Sequence, residues 1–157
     1  MSRLMSAAVV AAAAVLAGGI ASADMSKAVI GAFRGQLVIS KDELPEGKND
    51  KDTIAKIKAA KLTELTGTPT GEDVTAWHFH YTAFLNKSGA RALKMEFYRD
   101  GKQYSADKRL DGVDPKSAVL TGDISIDENE GLAKGKAYVI KLVDGNTVVA
   151  STPMHFK

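Results

Sequence analysis

Residues Leu132 to Phe156, reading LAKGKAYVIKLVDGNTVVASTPMHF, constrain the fold of this chain more than any other stretch. Apolar and polar residues alternate on both sides of Asp144-Gly145-Asn146. Side chains of a strand project to opposite faces in turn, so a period of two predicts half-buried strands over Lys136–Val143 and Thr147–Phe156. The Asp-Gly-Asn between them predicts a tight hairpin turn. A chain that ends in such a hairpin must bury one face of it against further strands, because an isolated hairpin is only marginally stable in water.

The same pattern recurs upstream. Val74–Leu85 reads as a central strand, with Trp77, Phe79, Tyr81, Ala83 and Leu85 on one face and His78, His80 and Thr82 on the other. Ala90–Arg99 alternates next, and Asp100-Gly101 turns it into the polar Gln103–Leu110, which suits a sheet edge. Ser117–Ile126 follows, then an acidic turn from Asp127 to Gly131. Near the start, Phe33, Leu37 and Ile39 give Val29–Ser40 the pattern of a first strand, weakened by Gly31 and Gly35. Leu62–Gly67 reads as a short strand and Thr68–Gly71 as a loop. Asn49–Lys61 is the one helical pattern: Asn49 or Asp50 can cap, Asp52 lies in the first turn, Lys56, Lys58 and Lys61 follow toward the end, and Ile54, Ile57 and Leu62 form a narrow apolar stripe. It is expected to be a crossover packed over one end of the sheets. The prediction is all-β: an antiparallel sandwich of seven or eight strands with one short crossover helix.

Leu132, Gly135 and Tyr138 carry a resemblance. The segment entering the strand at Lys136 resembles the corner before the penultimate strand of immunoglobulin-like and fibronectin type III-like sandwiches. There a Leu closes the preceding strand, a Gly turns, and a Tyr six residues after the Leu bonds back to the backbone. Trp77 resembles the core Trp of such domains. The family's usual Pro and Thr fall at Lys134 and Lys136, and the helix at Asn49–Lys61 is also a departure. As a whole the chain resembles small exported β-sandwich proteins of Gram-negative bacteria. The resemblance implies a fold and no activity, because such sandwiches host many unrelated roles.

Arg3, the apolar run Ala7–Ile20 and the small-x-small site Ala21-Ser22-Ala23 read as a cleaved signal peptide over residues 1–23. The run is shorter than the roughly 20 residues that span a bilayer. Residues 24–157 are then a single β-sandwich domain, exported to the periplasm or beyond. Removing Arg3 with the signal lowers the formal net charge from +2 to +1. A charge so near zero, with scattered lysines, argues against nucleic-acid binding. The chain has no cysteine, which excludes disulfides, thiol catalysis and Cys-ligated metals.

No nucleophile elbow, phosphate loop or zinc-protease helix motif occurs, so the chain is not read as an enzyme and no cofactor is implied. Asp127-Glu128-Asn129-Glu130 lacks the spacing of an EF-hand loop. The expectation is an envelope module that binds a protein or glycan. Its candidate surface is an outward strip of His78, His80 and Thr82, joined by Tyr98 from the next strand. The alternative is a Cu or Zn site: His78 and His80 project from one face, and His155 supplies a third ligand if its strand is adjacent.

Overall fold

A computed structural model describes residues 25–157 apart from 88, 90 and 91. The signal peptide expected over residues 1–23 lies outside the described residues. In chain order the elements are α1 (Lys27–Ala32), β1 (Leu37–Ser40), α2 (Asp50–Ala60), β2 (Glu64–Leu65), β3 (Thr68–Pro69) and β4 (Thr75–Phe84). They continue with β5 (Leu93–Arg99), β6 (Gln103–Leu110), β7 (Val119–Asp127), β8 (Lys136–Asp144) and β9 (Thr147–Phe156), with one 3-10 turn at Glu128–Glu130.

The strands form two sheets. In the four-stranded sheet, β4 pairs antiparallel with β7 along one side and with β1 and β3 in succession along the other. The five-stranded sheet runs β2-β9-β8-β5-β6, antiparallel except where the two residues of β2 lie parallel to β9. Between the sheets lies the main core. Trp77, Phe79 and Tyr81 reach into it from β4, Met95 and Phe97 from β5, and Ile140 and Leu142 from β8. Phe156 sits at its aromatic centre, edge-on to Trp77 and Tyr138 with ring centroids 5.4 Å away in each case. Edge-to-face geometry is what the ring quadrupoles favour.

The corner before β8 has a defined geometry. Leu132 is buried, Gly135 takes φ +76°, and the Tyr138 hydroxyl accepts a hydrogen bond from the Ala133 amide at 2.9 Å. Five residues separate the two groups, so the bond closes the turn on itself. With this corner and two facing antiparallel sheets, the chain is an immunoglobulin-like β-sandwich.

Three details differ from the sequence reading. Residues 27–32 are helix, not the first half of a strand. Ser26 caps that helix by accepting from the Val29 amide at 3.2 Å, and Val29 and Phe33, four apart, share its buried side. Gly35, at φ +79°, then lets the chain turn into β1. Thr68–Pro69, read as loop, pairs with β4. Finally, α2 does not sit over an end of the sandwich. With α1 it covers the outer face of the four-stranded sheet, where Met25, Val29, Phe33, Leu44 and Ile57 pack on Val38, Phe84 and Val119. The molecule therefore has three layers: helices, four strands, five strands.

Candidate functional site

The helical layer decides the fate of the strip predicted on β4. Trp77 faces the main core as expected and is buried, and His78, His80 and Thr82 do project from the opposite face. That face is not open. His80 is 5% exposed and Thr82 fully buried, on the sheet face that also carries the helical layer; His78 alone is exposed. His80 Nδ1 lies 3.0 Å from Asp123 Oδ1 on β7, while His80 Nε2 and the Thr82 hydroxyl make no hydrogen bond among the described residues. A cavity of about 260 Å³ lies beside the pair, lined by Lys41, His78, Asp123 and Ser125 among others.

The metal expectation meets a topological obstacle. His78 and His80 belong to β4, whereas His155 lies on β9 in the other sheet, beside Ala137 and Glu64. The three imidazoles do not converge. Among the described residues no group of three or more His, Asp or Glu side chains is placed to hold a metal ion.

Tyr98 also leaves the predicted strip. Its strand, β5, joins the five-stranded sheet, so Tyr98 is on the opposite outer face of the sandwich from His78. Both helices lie on the four-stranded sheet, and among the described residues no helix covers this second face. There Tyr98 meets a residue that sequence reading missed. The pairing of β5 with β6 shifts register between Phe97 and Tyr98, leaving Ser105 as the extra residue and placing Tyr104 directly opposite Tyr98. Such a bulge re-aims side chains. The two rings stand edge-to-face at 5.8 Å. Tyr104 is 50% exposed. The available signal was two tyrosines flanking the Asp100-Gly101 turn, but the one-residue offset that brings them together is not encoded in alternation.

Charged groups hold the pair in place. The Tyr98 hydroxyl donates to Glu96 at 2.6 Å, and the Tyr104 hydroxyl donates to Asp107. These bonds favour the protonated phenols: the bond to Glu96 raises Tyr98, and the bond to Asp107 pushes Tyr104 up to about 12. Lys141 Nζ stands 4.3 Å from the centroid of the Tyr98 ring, and Lys94 lies 3.7 Å from Glu96 and 4.0 Å from Asp107. The result is an open aromatic platform with donors and acceptors of both signs around it.

No family model matches the chain. Over 73 residues, 46% of this chain, it is 36% identical to the Outer membrane protein A of Rickettsia rickettsii, and it spans only 3% of that protein's length. Among solved structures it is similar to an immunoglobulin-like protein of Pseudomonas aeruginosa, at 12% identity and a TM-score of 0.39 over 78% of this chain and 90% of that one. It is also similar to a β-glucosidase from Kluyveromyces marxianus in complex with glucose, at 9% identity and a TM-score of 0.33 over 60% of this chain and 14% of that one. At those scores the fold rests on the strand topology and the tyrosine corner.

Proposed function

We propose that this chain is a non-enzymatic, envelope-associated binding module that recognises a protein or glycan partner through the outer face of its five-stranded sheet. The observation that carries this reading is the Tyr98–Tyr104 pair, Tyr104 exposed and Tyr98 half-buried, on a face that no helix among the described residues covers while the other outer face is covered. Tyrosines offer a large contact area at a low entropic cost, with a polar end for hydrogen bonding, and they are enriched where proteins bind partners. Glu96, Asp107, Lys94 and Lys141 supply the polar rim. The leader-like residues 1–23 and the 73-residue likeness to a protein named for the outer membrane support an envelope location.

The test places a photoreactive residue at position 104 in cells, with position 58 on the exposed side of α2 as the control, and applies the purified protein to a glycan array. Either a discrete adduct from position 104 alone or a glycan signal is expected; the adduct should disappear when Tyr98→Ala is added, and the glycan signal should disappear in the Tyr98→Ala, Tyr104→Ala double variant. A signal that survives its variant, or no signal in either arm, refutes the reading.

A further inference from the structure

The sandwich has several strand edges, and among the described residues all but one are closed or defended. The β1 edge receives the Leu62 amide at the Ile39 carbonyl, 2.7 Å away. The free side of β9 is met by β2, by Gln36 beside Ser151, and by the Asn86 amide bonding to the Val149 carbonyl at 3.0 Å. The β6 edge is bulged and carries Lys108 and Arg109. It is also approached by the connection from β7 to β8: Lys108 pairs with Glu130, and Gly131 comes so close that a Cβ there would overlap the Ser105 carbonyl oxygen. Bulges, charges and covering loops are the devices by which natural sheets prevent unwanted pairing.

β7 has neither a bulge nor a covering strand among the described residues, and its only charges are the acidic Asp123 and Asp127. It pairs with β4 over nine consecutive residues without a register shift. Its sequence VLTGDISID holds no Lys, Arg or Pro. Its one weak point is reinforced from within: Gly122 lies directly opposite Tyr81, whose ring fills the space where a side chain would be. Aromatic cover of a strand glycine preserves a straight edge. The backbone groups of alternate residues therefore face outward in a long unbroken row.

The sequence around this row is mostly acidic. Between residues 111 and 130 the acidic residues are Asp111, Asp114, Asp123, Asp127, Glu128 and Glu130 against Lys116, a net charge of −5 where the rest of the chain carries +7. Glu130 is taken up by Lys108, and Lys41 lines the cavity beside Asp123. The Asp123 side chain is 86% exposed. We infer that β7 is an acceptor edge for an extended, basic segment of another polypeptide, which adds to the four-stranded sheet as a further strand. Main-chain hydrogen bonds would supply the affinity, and lysine or arginine on alternate residues would meet Asp123 and Asp127. A second copy of β7 is excluded as the natural partner, since it would set like charges against each other. This surface lies apart from the tyrosine face, and each can fail without the other.

The probe is a peptide of about ten residues with lysine and valine alternating, long enough to span the edge at strand rise. Its counterpart has glutamate for lysine. Binding to the full protein is followed by fluorescence anisotropy, and amide hydrogen exchange maps the contact. The lysine peptide should bind saturably and more weakly as salt rises, the glutamate peptide should not bind, and amides of residues 119–127 should gain protection. Thr121→Lys with Ser125→Lys, two exposed positions, should weaken binding by about tenfold through like-charge repulsion. If that variant does not fold, the two peptides and the exchange map still decide. No saturable binding, equal binding of both peptides, or binding without protection of residues 119–127 overturns the inference.

Discussion

The hydroxyl of Tyr138 and that of Thr82 stand at opposite extremes of satisfaction. Tyr138 accepts from the Ala133 amide at 2.9 Å and lies 3.5 Å from an Arg99 guanidinium nitrogen, so its oxygen joins a corner to a core. Tyr138→Phe keeps the ring against Phe156 but leaves that amide without its acceptor. The expected cost is about 1 kcal/mol or more, a fall in melting temperature of about 3–5 °C; an unchanged melt would show that the bond adds nothing. Thr82 is buried and its hydroxyl has no partner among the described residues. Thr82→Val retains shape and removes an uncompensated polar atom, so the protein should gain on the order of 1 kcal/mol. A loss instead would mean that the hydroxyl is satisfied. The two residues also differ in how readable they are. Tyr138 is signalled by a spacing within seven residues of chain, whereas Thr82 lies on a sheet face that carries helices distant in sequence. Period two reports which side a residue takes and never what lies over that side.

At the level of elements, the helical layer is the least protected part of the fold. Among the described residues its core consists of eight buried residues, against twenty-three between the sheets. On α2, Ile57 is fully buried, and Asn49 caps the helix by accepting from the Asp52 amide at 3.0 Å. Regions with few buried apolar contacts open first. Ile57→Ala should therefore cost about 2–5 kcal/mol, and native-state hydrogen exchange should show α2 amides losing protection while β8 and β9 keep theirs. Equal loss across all elements would mean that the layers unfold as one unit. The cap and stripe of α2 were readable because they are local. α1 was not, since Val29, Phe33 and Leu37 form an i, i+4 series while Phe33, Leu37 and Ile39 share one side of a strand, and only the Ser26 cap separates the two. The site suffered similarly: alternation placed Tyr98 outward, but which sheet it joins is set by pairing across the chain.

Across the whole molecule, three carboxylates fasten the backbone, two of them joining segments distant in sequence, and each is held below its ordinary pKa. The Glu128 carboxylate accepts from the Thr75 amide at 2.7 Å and fastens the acidic turn to the start of β4. Glu64 is lowered by its bond to Lys157, joining β2 to the end of the chain, and Asp52 by the Lys48 amide at the start of α2. A carboxyl depressed in the folded state favours folding while it is ionised, so its contribution is complete above the ordinary value of 4.5 for Glu or 3.8 for Asp. It is lost as pH falls through the lowered values. At the alkaline end the sign reverses: Tyr104, raised to about 12 by Asp107, and Tyr98, raised by Glu96, contribute only while protonated, so their share fades as pH climbs past 10. Melting temperature against pH should accordingly show a plateau that falls below about pH 4.5 and again above about pH 10. Glu128→Gln should start lower on the plateau and fall less steeply in acid, while Asp107→Asn should bring the Tyr104 phenol back toward about 10 in an ultraviolet titration. An acid limb unchanged by Glu128→Gln would mean that the turn is not tied to β4 in solution, and an unmoved phenol would remove Asp107 from the platform on which the binding reading rests.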